Sequence, residues 1–205
     1  MVEGKPSRPA HTPGVASAPG VAAAASAEFT VVDPEHYEID AELARGGMGR
    51  ILHAVDRRHG RRVAIKELLS DTPALRVRFR REALITARLQ HPAIVPVYEA
   101  GKWPSGEPFY AMKMVEGRSL DKVIGARPTL AERMGLLPNV IAVAEAIAYA
   151  HERQVIHRDL KPANVLVGDF GETVVIDWGL AKDSAANEPE ESAGPFRSST
   201  PGGTV

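Results

Sequence analysis

Residues 157–164 read His-Arg-Asp-Leu-Lys-Pro-Ala-Asn and directly follow the apolar pair Val155-Ile156. Five polar groups in eight residues are not typical of a surface loop. The carboxylate of Asp159 can accept a proton from a hydroxyl, and the ammonium group of Lys161 can neutralise a phosphate. The amide oxygen of Asn164 can bind Mg²⁺. The stretch therefore predicts a loop that can contact a hydroxyl, a phosphate and a metal ion.

The tripeptide Asp177-Trp178-Gly179 comes thirteen residues after Asn164, at the end of a predicted strand. The carboxylate of Asp177 can bridge Mg²⁺ to phosphate oxygens. Taken alone, an aspartate at a strand end more often caps a turn or a helix. Its interpretation therefore depends on the other motifs in the chain.

A glycine-rich segment lies upstream, between two predicted strands. It reads Ala44-Arg-Gly-Gly-Met-Gly-Arg-Ile51. Glycines allow backbone N–H groups to approach phosphate oxygens closely. Taken alone, a segment of this kind is more often a simple hairpin turn. It indicates phosphate binding only together with the other motifs.

A lysine occurs in the apolar strand Val63-Ala-Ile-Lys66, seventeen residues after Gly49. A lysine in such a strand is costly unless it is paired. Glu82 lies on the apolar side of the following predicted helix and is the expected partner. The alternative is that Lys66 extends into solvent and Glu82 is a surface acid.

In this order, the four elements resemble the signature set of protein kinases. More closely, residues 37–182 resemble the bacterial branch of eukaryotic-like (Hanks-type) Ser/Thr protein kinases. The phrases that carry the resemblance are Arg45–Gly49, Phe79–Ala83, Gln90–Val95 and the loop 157–164. The position of Lys161, two residues after Asp159, is the pattern of the Ser/Thr branch.

The resemblance implies ATP and Mg²⁺ as cofactors and a role for each matching residue. Asp159 is expected to be the catalytic base, and Lys161 to support the γ-phosphate. Lys66, paired with Glu82, is expected to contact the α and β phosphates, while Asn164 and Asp177 hold Mg²⁺. The other expected nucleotide contacts are Ala44, Arg45, Gly46, Gly47, Met48 and Gly49 over the phosphates, Ile51, Ala64 and Leu166 around adenine, Met112 as the gatekeeper, and the hinge backbone from Lys113 to Val115.

The implied partners are proteins that present Ser or Thr, with autophosphorylation and a kinase dimer as further expectations. Arg158 resembles the arginine that captures an activation-segment phosphate in this family. We favour Thr200 as the phosphorylated residue, and Thr204 second, among the Ser and Thr residues near the end of the chain. The alternative is that this Ser/Thr-rich stretch is only a flexible, solvated loop.

Two residues depart from the family pattern. Ala44 replaces the first glycine of the loop, which is tolerable if its φ is negative and should stiffen the loop. Trp178 replaces the usual phenylalanine after the metal-binding aspartate, so the packing around it must adjust to a larger ring.

The predicted fold is α+β and protein-kinase-like. It has a five-stranded antiparallel small lobe with one helix, followed by the beginning of a mainly helical large lobe. Alternating apolar residues and turns predict small-lobe strands at 37–43, 51–55, 62–68, 94–100 and 109–115, and helical periodicity predicts a helix at 74–89. The large lobe is predicted to contain a short helix at 121–125, a long helix from a Thr129–Glu132 capping box to about Arg153, and strands at 165–167 and 173–176.

Composition divides the chain into four parts. Pro, Gly, Ala and Ser fill 18 of the first 30 positions, so we predict a disordered tail over 1–36. The small lobe then covers 37–115 and the partial large lobe 116–182. Residues 183–205 are expected to be a truncated, flexible activation segment, because no Ala-Pro-Glu element follows. The long helix should consequently present an uncovered apolar face.

Whole-chain composition excludes several classes. The 205 residues contain no cysteine, which excludes disulfides, Fe–S clusters, thiol catalysis and Cys-bound zinc. A formal net charge of −1 argues against a nucleic-acid binder. No secretory signal or membrane segment is expected within these residues. We expect a cytoplasmic location, with any membrane anchor of the full-length protein downstream.

Three functional interpretations remain open at this point. The first is phosphoryl transfer from ATP to protein Ser/Thr hydroxyls by the full-length protein. The second is a truncated, non-catalytic module that binds a nucleotide or a partner. The third is an unfolded remnant without function.

Overall fold

The computed structural model describes residues 28–46, 49–70 and 72–184. Its first half is a five-stranded antiparallel sheet in the order β1-β2-β3-β5-β4. The strands are β1 (Tyr37–Arg45), β2 (Gly49–Asp56), β3 (Arg61–Leu68), β4 (Val97–Lys102) and β5 (Pro108–Lys113). The predicted five-stranded small lobe is thus confirmed.

The fourth strand begins three residues later than predicted. Pro96 has no N–H to donate to a ladder, so regular pairing starts at Val97. Ile94, assigned to this strand from the sequence, is instead buried and forms an isolated parallel bridge with Val175. This bridge links the small lobe to the large one.

One helix, α1 (Pro73–Arg88), packs against the small-lobe sheet. Thr72 caps its N-terminus by accepting a hydrogen bond from the N–H of Leu75 at 3.3 Å, and Pro73 occupies the first turn, where its missing N–H costs nothing. The buried side chains of the helix include Phe79, Glu82 and Ala83. They place the acidic residue on the apolar face, as the sequence predicts.

Residues 28–36 differ from the tail that composition predicts. Pro34–His36 form a 3₁₀ turn capped by Asp33, and Val32 is buried in the sheet core beside Tyr37. Phe29 and Val32 pack against the apolar clusters of the small lobe, and this burial offsets the entropy of ordering. Residues 28–36 are therefore ordered, contrary to the prediction.

The large lobe contains three helices and five short strands within the described residues. They are β6 (Gly117–Ser119), α2 (Leu120–Gly125), α3 (Leu130–Met134), α4 (Leu137–Glu152), β7 (Val155–Ile156), β8 (Val165–Gly168), β9 (Thr173–Val175) and β10 (Lys182–Asp183). β6, β8 and β9 form one small sheet, and β7 pairs with β10. Asp183, which the sequence places in a flexible segment, is instead buried and paired with Arg88 at 3.0 Å.

The predicted long helix is wrong as a single element, because it is interrupted between α3 and α4. The Thr129–Glu132 capping box is present. Pro138 cannot donate a hydrogen bond to the carbonyl of Met134, so the helix ends there and restarts at Leu137.

The face of α3 and α4 that the sequence predicts to be uncovered is exposed. The exposed apolar side chains are Leu130, Met134, Leu137, Val140 and Ile141. By length and composition alone, Leu130–Glu152 also qualifies as one candidate membrane span, a criterion that the core helix of a soluble protein meets as well. The expected absence of a membrane segment therefore stays a prediction.

Candidate active site

Lys66 and Glu82 are brought together at the centre of the small lobe. The Nζ atom of Lys66 donates a hydrogen bond to Oε1 of Glu82, and the same oxygen accepts a bond from the hydroxyl of Tyr110 at 2.8 Å. Glu82 is buried, and Tyr110 faces Lys66 across β3 and β5. Burial, together with the adjacent Glu82 carboxylate, raises the pKa of the Tyr110 hydroxyl well above its usual value, so Tyr110 remains a donor. The pair expected from the sequence therefore has a third member.

The end of β9 brings Asp177 to the same lysine. Oδ1 of Asp177 lies 3.6 Å from Nζ of Lys66, and the Asp177 side chain is 48% exposed. Gly179 lies against both acids, since a Cβ atom at this position would be 3.2 Å from Glu82 and 3.3 Å from Asp177. Residues from the two lobes thus meet at Lys66.

Asp159, Lys161 and Asn164 form a second group in the loop that precedes β8. The Oδ2 atom of Asp159 accepts hydrogen bonds from Nζ of Lys161 at 2.7 Å and from the amide of Asn164 at 3.0 Å. The Asn164 amide also donates to the carbonyl of Asp159 at 2.8 Å. Lys161, and to a smaller extent Asn164, hold the pKa of Asp159 below its usual value. Asp159 is therefore ionised at neutral pH and able to accept a proton or a hydrogen bond.

His157 ties this loop to the segment that carries Asp177. Its Nε2 atom lies 3.1 Å from the carbonyl of Ile176, and its Nδ1 atom accepts a bond from the N–H of Asp159 at 3.3 Å. Burial lowers the pKa of the imidazole, outweighing the bond to Ile176. The neutral ring, protonated on Nε2, satisfies both contacts.

Backbone strain is concentrated at the same place. Arg158 and Asp177 adopt left-handed conformations, with φ of 67° and 62°. Such conformations cost about 1 kcal/mol or more for residues with a Cβ atom. The contacts of His157 on either side hold both residues in place.

The glycine-rich segment closes the hairpin between β1 and β2. The N–H of Gly46 donates to the carbonyl of Gly49 at 2.8 Å, and Gly47 and Met48 lie outside the described residues. Ala44 faces Ile51 in the ladder and has a negative φ, the condition under which the sequence tolerates a methyl group there. Arg45 is paired with Glu42 at 2.6 Å on the exposed side of the strand.

Within this segment, packing against a neighbouring strand explains why position 49 is a glycine. A Cβ atom there would lie 2.3 Å from the backbone carbonyl oxygen of Glu67 on β3. Only glycine allows the two strands to approach this closely.

The residues expected around adenine largely share one apolar cluster between the sheet and α1. Ala64 and Met112 are its buried members and face each other across β3 and β5. Ile51 and Val115 are partly buried against the same cluster. Leu166 lies on β8 opposite Val174, which also belongs to the cluster, and Lys113 ends β5 opposite Val63.

Trp178 packs into the large-lobe core. It is only 1% exposed and its ring lies 4.6 Å from that of His157. Within the described part of the chain, its indole N–H has no hydrogen-bond acceptor. The larger side chain is thus accommodated at the cost of an unpaired polar group.

Of the three residues expected to be regulatory, the structure describes Arg158. Arg158 is exposed next to Asp159. Thr200 and Thr204 lie outside the described residues, so the proposed contact between Arg158 and a phosphate stays a prediction.

The donor chemistry fits the expected metal. Asn164 and Asp177 supply an amide oxygen and a carboxylate, and among the described residues no group of three or more His, Cys, Asp or Glu forms an all-protein metal cage. Mg²⁺ characteristically takes one or two protein oxygens together with phosphates and water. The two residues therefore suit a cation delivered with a nucleotide.

Tyr110 is the site residue that the sequence analysis missed. Nothing in its local pattern distinguishes it from a core aromatic residue. The cross-strand register, which sets it opposite Lys66, is the signal that identifies it.

Comparison with known proteins finds similarity to protein kinases over most of the chain. The model of the protein kinase domain matches residues 37–199. The serine/threonine-protein kinase PknD of Protochlamydia amoebophila is 36% identical over 180 residues, which are 80% of this chain and 18% of that protein. PknD of Chlamydia muridarum is 40% identical over 171 residues, covering 77% and 18% of the two chains. The probable serine/threonine-protein kinase PknB of Corynebacterium glutamicum is 38% identical over 176 residues, covering 80% and 27%.

The chain thus spans between 18% and 27% of the length of these three relatives. Its similarity extends over residues that include both parts of the site.

Proposed function

The chain belongs to the protein kinase family, and from that premise we propose that the full-length protein transfers the γ-phosphoryl group of ATP to Ser or Thr hydroxyls of proteins. One observation carries the proposal: Nζ of Lys66 binds Glu82 and lies 3.6 Å from Asp177. This proximity supports a single nucleotide site between the lobes, in which Lys66 would bind phosphate and Asp177 would bind the metal ion.

In the proposed mechanism, Lys66 holds the α and β phosphates while Glu82 and Tyr110 fix its ammonium group. Bound Mg²⁺, held by Asn164 and Asp177, would neutralise charge that develops on the phosphate oxygens. Ionised Asp159 accepts the proton of the substrate hydroxyl. Lys161, 2.7 Å from Asp159, supplies a positive charge beside the γ-phosphate.

The low pKa of Asp159 is compatible with this role. Phosphoryl transfer passes through a loose transition state that makes little demand on a strong base. A carboxylate that is ionised at neutral pH can orient the hydroxyl and take its proton late.

A second candidate function is partner binding without catalysis. The five exposed apolar side chains of α3 and α4 favour it, because clustered exposed apolar residues are typical of an interaction site. For the kinase, we propose protein substrates, a cytoplasmic location and autophosphorylation at Thr200 or Thr204.

The test compares the full-length protein with its Asp159→Asn variant. We expect phosphorylation of a Ser/Thr-containing protein substrate to fall by roughly three orders of magnitude, the scale of a lost general base. The dissociation constant for ATP should stay within about twofold, because Asp159 does not hold the nucleotide.

The control is Asp169→Asn, an exposed aspartate outside the catalytic loop, which should leave both quantities unchanged. Equal activity of Asp159→Asn and wild type would reject Asp159 as the base. ATP binding without phosphorylation by the wild-type protein would favour the second candidate.

A further inference from the structure

The segment 28–32 covers the free edge of the small-lobe sheet. β4 is the last strand of that sheet, and an edge strand has unpaired backbone groups on one side. The N–H of Val32 donates to the carbonyl of Lys102 at 2.9 Å, and the N–H of Lys102 donates to the carbonyl of Thr30 at 3.0 Å. Residues 28–32 lie before residue 37, where the match to the family begins.

The same segment reaches both faces of the sheet. Val32 is buried in the cluster on one face, together with Tyr37 and Trp103. Phe29 packs against the cluster on the opposite face, which contains Phe79 and Ala83 of α1. The segment therefore contacts the apolar clusters on both faces of the sheet at its edge.

Two charged residues strengthen the contact with α1 and β4. The guanidinium of Arg80, on α1, lies over the ring of Phe29 at 5.0 Å, a favourable cation–π arrangement. Oε2 of Glu28 accepts a bond from Nζ of Lys102 at 3.1 Å. Hydrogen bonding to Lys102 lowers the pKa of Glu28, so the carboxylate is charged at neutral pH.

Gly101 provides independent support, because the segment approaches β4 closely at this residue. A Cβ atom on Gly101 would lie 2.5 Å from Cγ2 of Val32 and 3.0 Å from the carbonyl oxygen of Thr30. A residue with a Cβ atom would therefore force Val32 and the adjoining backbone of the segment to shift. The sequence of β4 is thus adapted to a neighbour that precedes the family domain.

We propose that residues 28–32 form a clamp that holds α1 against the sheet, with Phe29 as a positioning residue for the Lys66–Glu82 pair. Glu82 is buried on α1 between Phe79 and Ala83, which both belong to the cluster that Phe29 covers. Without the clamp, α1 is held by fewer contacts and spends less time in the position where Glu82 meets Lys66. The effect on nucleotide binding rests on the proposed function, whereas the effect on α1 does not.

The expected consequence is a shift in population. If the paired arrangement is populated only in part, the apparent dissociation constant for nucleotide rises in proportion, and saturating nucleotide restores the paired state. Loss of the clamp should therefore raise KM for ATP while kcat at saturation is unchanged. General destabilisation would instead reduce the amount of active protein, lowering kcat with KM unchanged.

The test uses the full-length protein and four variants. Phe29→Ala removes the ring and keeps the backbone pairing, and Gly101→Ala displaces the segment without touching α1. Phe29→Tyr keeps an aromatic ring and should behave as wild type. Val31→Ala is the matched control in the same segment, because Val31 is 60% exposed.

The first readout is amide hydrogen exchange without nucleotide. In Phe29→Ala and Gly101→Ala, we expect exchange of the amides in Pro73–Arg88 to accelerate about tenfold, equivalent to about 1.4 kcal/mol. The amides of Leu137–Glu152, in the other lobe, should keep their wild-type rates. Unchanged exchange in α1, or an equal acceleration in both helices, would overturn the proposal.

The second readout is nucleotide affinity and its kinetic counterpart. KM for ATP should rise about tenfold in the same two variants, with kcat retained. If the wild-type protein binds no ATP, the proposed function fails, while the exchange measurement still decides for or against the clamp. A reduced kcat with unchanged KM would overturn the positioning role of Phe29.

Discussion

The two tryptophans of the chain offer a matched test of what a buried indole N–H contributes. Nε1 of Trp103 donates to Oε1 of buried Glu67 at 2.7 Å, and the Trp103 ring stacks on Phe109 at 3.7 Å. Nε1 of Trp178 has no acceptor among the described residues, although the side chain is 1% exposed. Replacing each tryptophan by phenylalanine removes the same atoms from opposite hydrogen-bonding situations.

The magnitudes follow from these contacts. Each substitution loses about 1–2 kcal/mol of packing because a smaller ring leaves space in the core. Trp103→Phe also loses a bond to a charged acceptor, worth about 1.5–3 kcal/mol. Trp178→Phe instead removes an unpaired buried donor that costs about 1–3 kcal/mol. We therefore expect Trp178→Phe to lie within about 1 kcal/mol of wild type, and Trp103→Phe to be less stable than Trp178→Phe by at least about 2 kcal/mol.

The assay is urea unfolding followed by far-ultraviolet circular dichroism, since removing a tryptophan alters the fluorescence signal. With a slope of about 2 kcal/mol per molar, the two midpoints should differ by about 1 M or more. Equal destabilisation by the two substitutions would refute the reasoning, because it would show that Trp178 has a partner or that the bond to Glu67 contributes nothing.

Two further predictions concern the loop and the pH dependence. Gly49→Ala should destabilise the protein by about 1–3 kcal/mol in urea unfolding, since its Cβ would lie 2.3 Å from the carbonyl oxygen of Glu67; Gly46→Ala, with its nearest such contact at 3.9 Å, is the control and should change stability little. The folded-state pKa of His157 is lowered by burial, so its contribution to stability is fully present above the unfolded value of about 6.5 and is lost as pH falls through the folded pKa. The urea midpoint should accordingly fall between pH 7 and pH 5, because protonated Nδ1 can no longer accept the N–H of Asp159; an equal fall in His157→Gln would contradict this origin.

Local pattern was sufficient for much of the fold. The Gly turn and the alternating strands predict the small-lobe sheet, and the helical spacing of Phe79 and Ala83 predicts α1 within one residue at each end. These features depend on neighbours along the chain, where side-chain periodicity reports directly on the buried face. The position of Glu82 on the buried face of α1 follows from the same periodicity.

The features that the sequence did not predict depend on distant neighbours. Tyr110 joins the Lys66–Glu82 pair only because β5 lies beside β3, and strand order cannot be deduced from alternation alone. The clamp was missed because the composition argument treated residues 1–36 as one tail, whereas Phe29 and Val32 act as individual side chains within it. The interruption of the long helix was visible in principle at Pro138, but the apolar spacing on both sides conceals it.

Three carboxylates of the site illustrate how environment, rather than residue type, separates their chemical capacities. Glu82 is buried between an ammonium group and a phenol, so its charge is committed to fixing Lys66. Asp177 is 48% exposed and keeps an oxygen open to a cation. Asp159 is partly exposed, with Lys161 and Asn164 both bonded to one oxygen, Oδ2, so the other oxygen faces no donor within the described residues and can receive a hydroxyl. The counter-ion, the metal ligand and the proton acceptor of the proposed mechanism would thus be the same functional group in three settings, and the division follows from burial and from the hydrogen bonds that each oxygen already accepts.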